Sequence, residues 1–334
     1  MSFLIISYYI YRINTSNMTI LDTVGATPLL ELSKISLKPG RGRPAGLRLY
    51  GKAEFYNPSG SVKDRAARAM ILGAIAEGKL VFGKTIIDAT SGNTGIAYAM
   101  AGAALGFPVK LFLPANASAE RKGIIRHYGA EIVESSPLEG SDGAYLAARA
   151  EAEAHPEKYF YPNQYNNDAN WKAHYTGTGV EIWEQTQGRV THFICGMGTS
   201  GTFMGISRRL KELNPGVTVI AVQPDSPFHG IEGTKHMAST IKPGFYDEKQ
   251  ADRFIEVNTE QAYTMARRLA REEGLYTGVS SAANVLAALM VAETVPASSV
   301  VVTVLCDTGT RYVSDSFWDW EEDLAASAGG GAHA

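Results

Sequence analysis

At 334 residues the chain has the length for about two domains, each with its own core. Thirty-one basic residues against 34 acidic ones leave a formal net charge of −3, which argues against nucleic acid or an anionic membrane as the main partner. Two cysteines, Cys195 and Cys306, have no metal-type spacing and are too few for a disulfide framework, so a cytoplasmic location is the simplest reading. No metal is expected, because no HExxH pattern occurs and His229 with His236 is a weak signal.

The chain opens on an apolar run at residues 3–11 that is too short to span a bilayer and lacks the basic leader of a secretory signal. Met18 begins a more conventional opening, so residues 1–17 read as a non-native or disordered extension. Next comes Asn57-Pro58-Ser59-Gly60-Ser61-Val62-Lys63-Asp64-Arg65, where Pro58 and Gly60 punctuate a turn, Ser61 can cap and Asp64 acts as a short capping-box partner. The apolar face Val62, Ala66, Met70 and Ala74 predicts a helix that runs to about Glu77 and stops at Gly78. Lys63 lies at the positive end of this helix, where the macrodipole disfavours a cation. It is therefore either an exposed lysine beside a cap or an amine suited to a Schiff base with a carbonyl cofactor.

Short β-branched runs then alternate with helical patterns: strands at 84–89 and 109–113, helices at 95–105 and 119–128. The alternation resumes after the polar aromatic segment 159–175, with strands at 191–195, 217–222 and 299–305 and helices at 202–213, 259–273 and 282–292. This is an α/β pattern with mainly parallel sheets, divided into two units with a cleft between them. Ligand sites in such sheets lie beyond the carboxyl ends of the strands.

Three loops fall at those places. Thr90-Ser91-Gly92-Asn93-Thr94-Gly95 opens a helix of small residues and reads as an anion site or as a polar turn that caps a helix. Gly196-Met197-Gly198-Thr199-Ser200-Gly201-Thr202 matches the dinucleotide pattern G-x-G-x-x-G. The following strand ends in Gln223-Pro224 rather than a carboxylate, and the loop's hydroxyls suit one phosphate monoester, which favours the second reading. The last loop, Cys306-Asp307-Thr308-Gly309-Thr310-Arg311-Tyr312, is a turn or, through Thr308, a neutral partner for a heteroaromatic nitrogen. Residues 323–334 read as a disordered tail.

Together the motifs NPSGSVKDR, TSGNTG, GMGTSGT and CDTGTRY, with Gln164-Tyr165-Asn166-Asn167 and Gly278-Val279-Ser280-Ser281, resemble those of the pyridoxal-phosphate-dependent cysteine synthases over about residues 18–320. The likeness is stronger to the B branch than to the A branch of that family. It implies the fold type II architecture of tryptophan-synthase-β-like enzymes: two three-layer α/β domains with the active site in the interdomain cleft. The smaller, mobile domain is expected at 47–158, and the larger, cofactor-anchoring one at 18–46 and 159–322. By this resemblance Lys63 carries pyridoxal 5'-phosphate as a Schiff base and Asn93 meets the ring hydroxyl. Gly198, Thr199, Ser200, Gly201 and Thr202 hold the phosphate, and Thr308 faces the pyridine nitrogen. Thr90, Ser91, Asn93, Thr94 and Gln164 match positions that grip an amino-acid carboxylate, while Lys235 and His236 fall in the acceptor region.

The activity so implied is replacement of the acetoxy group of O-acetylserine by sulfide, or by thiosulfate, to give cysteine or S-sulfocysteine. Cystathionine β-synthase, joining serine to homocysteine, is the nearest alternative; a dinucleotide-dependent oxidoreductase and a non-catalytic binding protein are more distant ones. The resemblance also implies a homodimer, and members of the A branch of the family can dock serine acetyltransferase.

Overall fold

The computed structural model describes residues 18–38, 42–90, 92–136 and 140–319. The expected extension at 1–17, the expected tail at 323–334 and Ser91 lie outside the described residues. A six-stranded sheet runs in the order β1 (Leu29–Glu31), β2 (Arg48–Ala53), β10 (Val300–Leu305), β7 (His192–Gly196), β8 (Thr218–Pro224) and β9 (Arg253–Val257). All its pairings are parallel except β1 with β2. β10 is buried at all six positions, as expected of a central strand covered on both faces. The helix Val279–Ala292, apolar almost all round, packs against β10 and is itself buried along nearly its whole length.

A second, wholly parallel sheet has the order β5 (Glu131–Ser135), β4 (Val109–Pro114), β3 (Thr85–Ala89) and β6 (Tyr159–Phe160). The sheets divide the chain differently from the sequence boundaries. Residues 48–53, expected in the smaller unit, form β2 of the larger sheet alongside β10. Tyr159–Phe160, expected in the larger unit, pairs with β3 in the smaller sheet. Strand pairing, rather than order along the chain, decides membership.

The helix Lys63–Ala76 forms as its apolar spacing predicts and ends with Glu77 and Gly78, the latter at φ +69°. Its start is built differently. Asp64 turns away from the helix end and accepts hydrogen bonds from the Ser59 N–H at 2.6 Å and from the Ser59 hydroxyl, which fixes the preceding loop instead. Burial pushes the Asp64 carboxyl up to about 6 against these bonds. Two residues beyond Lys63, Arg65 is buried between Glu54 at 2.6 Å and Glu181 at 2.6 Å. Lys52, fully buried on β2, reaches the same Glu181 at 2.6 Å. Two cations thus face two anions, and Thr27 and Asn57 also donate to the two carboxylate oxygens of Glu54. Removing one partner from such a cluster leaves an uncompensated buried charge. Arg65→Met is expected to lower unfolding free energy by about 3–5 kcal/mol in urea titrations. Arg149→Ala, which breaks an exposed pair with Glu153, is expected to leave the urea midpoint essentially unchanged.

Candidate active site

Seven strand ends meet around one cleft, because every strand that enters it points its carboxyl end inward. β2 leads to the Lys63 loop, β7 to the Gly198 loop, β8 to residues 225–235 and β10 to Cys306. From the other sheet β3 delivers Thr90 to Thr94, β4 delivers Asn116, and β6 delivers Gln164 and Tyr165. The cleft has two joined parts, an open cavity of about 320 Å³ and a narrow slot of about 30 Å³, and Lys63, Gly198 and Thr199 line both. Lys63 is partly buried, and its amine has no hydrogen-bond or ion-pair partner among the described residues.

The slot is shaped for a phosphate. Gly198, Thr199, Ser200, Gly201 and Thr202 line it, running into the first turn of the 13-residue helix Gly201–Leu213. Their backbone N–H groups find no acceptor among the described residues, and the buried Ser200 hydroxyl has no partner either. Unpaired donors at a helix N-terminus are the elements of an anion site. The cradle is tight: a Cβ at Gly198 would lie 2.3 Å from the Gly233 carbonyl oxygen, and Ser200 holds a left-handed φ of +62°. Behind the loop, Asn170 donates to the Thr199 hydroxyl at 3.1 Å, and Thr202 meets His174 Nε2 at 3.3 Å. Burial, with Arg65 and Lys63 nearby, holds the His174 imidazole neutral by lowering its pKa well below the usual range.

At its other end the slot meets Asn93, Ser280, Asn284 and Cys306. Thr308 does not line it. Its hydroxyl accepts the Thr310 N–H and caps the short turn Gly309–Arg311, so the plain role as a turn residue prevails there. Ser280, in the first turn of the helix Val279–Ala292, is the hydroxyl that lines the slot. Paired serines opening an otherwise apolar helix were the available sequence signal for it. Cys306 is a neutral neighbour, because desolvation pushes its thiol up to about 11 despite the nearby Lys63.

The open cavity carries groups suited to a carboxylate. Thr94 donates to Gln164 Oε1 at 3.1 Å, and Gln164 donates to the Ala89 carbonyl at 2.8 Å. The Thr90 hydroxyl accepts the Gly92 and Gly95 N–H groups and so shapes the turn. Thr90, Thr94 and Gln164 line this cavity, while Asn93 lines the slot. Lys235 lines it too, bonded to Asp142 and Thr240 at 2.8 Å each and 4.8 Å from the Tyr165 ring centroid. Burial works against its charge, but Tyr165 and Asp142 raise its pKa overall. His236 does not line the cavity and bonds to Ser239; His229 lines it instead. Arg121 pairs with Glu232 across the cavity rim and lies 5.1 Å from the Tyr312 ring centroid.

The comparisons with known proteins agree with this geometry. The family described as pyridoxal-phosphate dependent enzymes matches residues 20–307. A cysteine synthase of Aquifex aeolicus is 51% identical over 303 residues, covering 90% of this chain and 92% of its own. The chain belongs to the pyridoxal-phosphate-dependent cysteine synthase family. Cysteine synthase B of Pseudomonas aeruginosa is 43% identical, covering 90% of this chain and 97% of its own. The crystal structure of a cysteine synthase from Entamoeba histolytica superposes with a TM-score of 0.85 at 35% identity, covering 93% of each chain. This solved relative has the fold type II architecture, and the family cofactor is pyridoxal phosphate.

Below the cavity floor, Asp88 on β3 is fully buried and accepts the Ala89 N–H at 2.8 Å. Burial pushes this carboxyl up to about 7, against the pull of the Ala89 N–H. A carboxyl with a folded pKa above its unfolded value contributes stability that is fully present below the unfolded value and lost as pH rises through the folded one. The window here runs from about 3.8 to about 7. Asp88→Asn is therefore expected to gain stability relative to the parent between pH 5 and pH 8.5, as read by paired urea titrations.

Proposed function

We propose that this enzyme is a cysteine synthase that converts O-acetyl-L-serine and sulfide into L-cysteine and acetate. The observation that carries the reading is the unpartnered Lys63 amine at the junction of a phosphate-shaped slot and a carboxylate-suited cavity. Gly198 to Thr202 would hold the cofactor phosphate, Asn93 would meet the ring hydroxyl and Ser280 would offer a neutral hydroxyl to the ring nitrogen. Pyridoxal phosphate, held by Lys63 and then joined to the substrate's amino group in its place, would supply the electron sink that stabilises charge at the α-carbon and would leave the Lys63 amine free.

The chain's own groups do the rest. Thr90, Thr94 and Gln164, with the amides of their loop, bind the amino-acid carboxylate and orient the α-hydrogen towards Lys63. The Lys63 amine takes the α-proton as acetate departs and returns it to the α-carbon once sulfide has added, so one nitrogen serves as base and acid. Arg121 with Glu232, and Lys235 with Asp142, cross the mouth between segments of the two sheets and restrict water.

The cavity favours a small acceptor. The charge of Lys235 is already matched by Asp142, and a lysine offers a point charge without the two-pronged fork of an arginine. Sulfide is therefore preferred to thiosulfate. The B-branch assignment and the homodimer rest on family likeness, docking of serine acetyltransferase on likeness to the A branch, and the cytoplasmic location on cysteine usage; all form part of this proposal.

The test is to load purified protein with pyridoxal phosphate and to assay cysteine formation from O-acetylserine and sulfide. Turnover is expected, and Lys63→Ala is expected to lower it about a thousandfold or more while circular dichroism stays unchanged. Cystathionine formed from serine and homocysteine, with no cysteine from O-acetylserine, would overturn the reading. Asp142→Asn, which frees the Lys235 charge, is expected to lower the thiosulfate KM by about tenfold in an S-sulfocysteine assay.

A further inference from the structure

Asn93 is held from two sides by one segment. Its Nδ2 donates to Asp307 Oδ2 at 2.7 Å, and its Oδ1 accepts from the Arg311 guanidinium. Both partners are buried, Asp307 at 0% exposure and Arg311 at 2%. An amide has a donor end and an acceptor end of nearly the same shape, so only its partners decide which way it faces. A carboxylate on one side and a guanidinium on the other permit a single orientation. Asp307 takes one of the two Nδ2 hydrogens and leaves the other for a ligand in the slot.

The same segment also sets the opposite wall. Arg311 donates to the Ser59 carbonyl, and Ser59 is tied through Asp64 to the start of the Lys63 helix. Asp307 forms an isolated antiparallel bridge with Ser61, and the Val62 N–H donates to the Cys306 carbonyl at 2.8 Å. The Tyr312 hydroxyl fixes Asp307 Oδ2 at 2.6 Å. Gly278 lets the carboxylate approach closely, since a Cβ there would lie 2.3 Å from Asp307 Oδ1.

We infer that Asp307 and Arg311 are positioning residues that lock the Asn93 amide with its donor towards the cofactor ring and hold it in register with Lys63. The inference rests on the reading of Asn93 as the group that meets the ring hydroxyl. Asp307→Asn presents Asn93 with an amide instead of a carboxylate and removes the charge that selects the donor end. Arg311→Lys removes the fork that joins Asn93 to Ser59.

The experiment is a double-mutant cycle on the protein titrated with pyridoxal phosphate, using Asp307→Asn, Asn93→Ala and both together. The readouts are the cofactor dissociation constant and the visible absorption band from pH 6 to pH 9. Asp307→Asn is expected to raise the dissociation constant about tenfold, the worth of one oriented hydrogen bond, and to shift the band. In the Asn93→Ala background the same change is expected to do almost nothing further. Additive effects, or an unaltered constant and band in Asp307→Asn, would overturn the inference. If Asp307→Asn fails to fold, the cycle of Arg311→Lys with Asn93→Ala measures the same coupling, with the same two outcomes. Absence of a visible band in the parent protein would instead count against the Lys63 cofactor reading, so the two failures are distinguishable.

Discussion

Arg65 holds the position of Lys63. Its guanidinium is clamped by Glu54 from the turn after β2 and by Glu181 from the helix Gly179–Gln185, so the first turn of the Lys63 helix is joined to two other elements. Lys52 balances the second carboxylate, and the cluster carries no net charge among these four groups. An isolated buried ion would be intolerable, but a closed set of charge-assisted bonds has few alternative arrangements. The Lys63 amine can therefore stay free of partners without the backbone that carries it being loose. Rigidity is supplied two residues away, and the Lys63 amine is left unencumbered.

The second organising constraint is topological. Parallel strands deliver their carboxyl ends to one side, so loops far apart in sequence reach the same cleft without long excursions. The larger sheet contributes the glycine-rich loop and Ser280, and the smaller contributes Asn93, Thr94 and Gln164. Lys63 lies between the two sets, and the slot takes residues from both sheets. Ion pairs such as Lys235 with Asp142 connect segments that belong to the two sides.

Much of this was legible because it is local. The Lys63 helix, the glycine-rich loop after β7 and the TSGNTG turn after β3 each announce themselves through spacing and turn residues within about ten positions. What sequence reasoning missed depends on partners distant in the chain. Asp64 looked like a capping residue, but a backward bond to Ser59 competes successfully for it. Thr308 looked free to meet a ring nitrogen, yet its hydroxyl is occupied by its own turn, and Ser280 from another helix lines the slot. β2 escaped notice because Lys52 and Gly51 break its apolar pattern. The buried charge is satisfied by Glu181, Gln185 and the Thr27 carbonyl, and a Cβ on Gly51 would lie 2.7 Å from Leu305 of β10. Neither fact is written near residue 52.

Cys306 gives the site a chemical immunity. A thiol beside the seat of an aldehyde cofactor, in an enzyme that handles sulfide, is exposed to addition and to sulfur exchange, and both reactions require the thiolate. With its pKa pushed to about 11, only about one molecule in ten thousand carries that thiolate at pH 7. The desolvated wall of the slot thus keeps the protein's own sulfur from competing with the sulfur it is built to transfer.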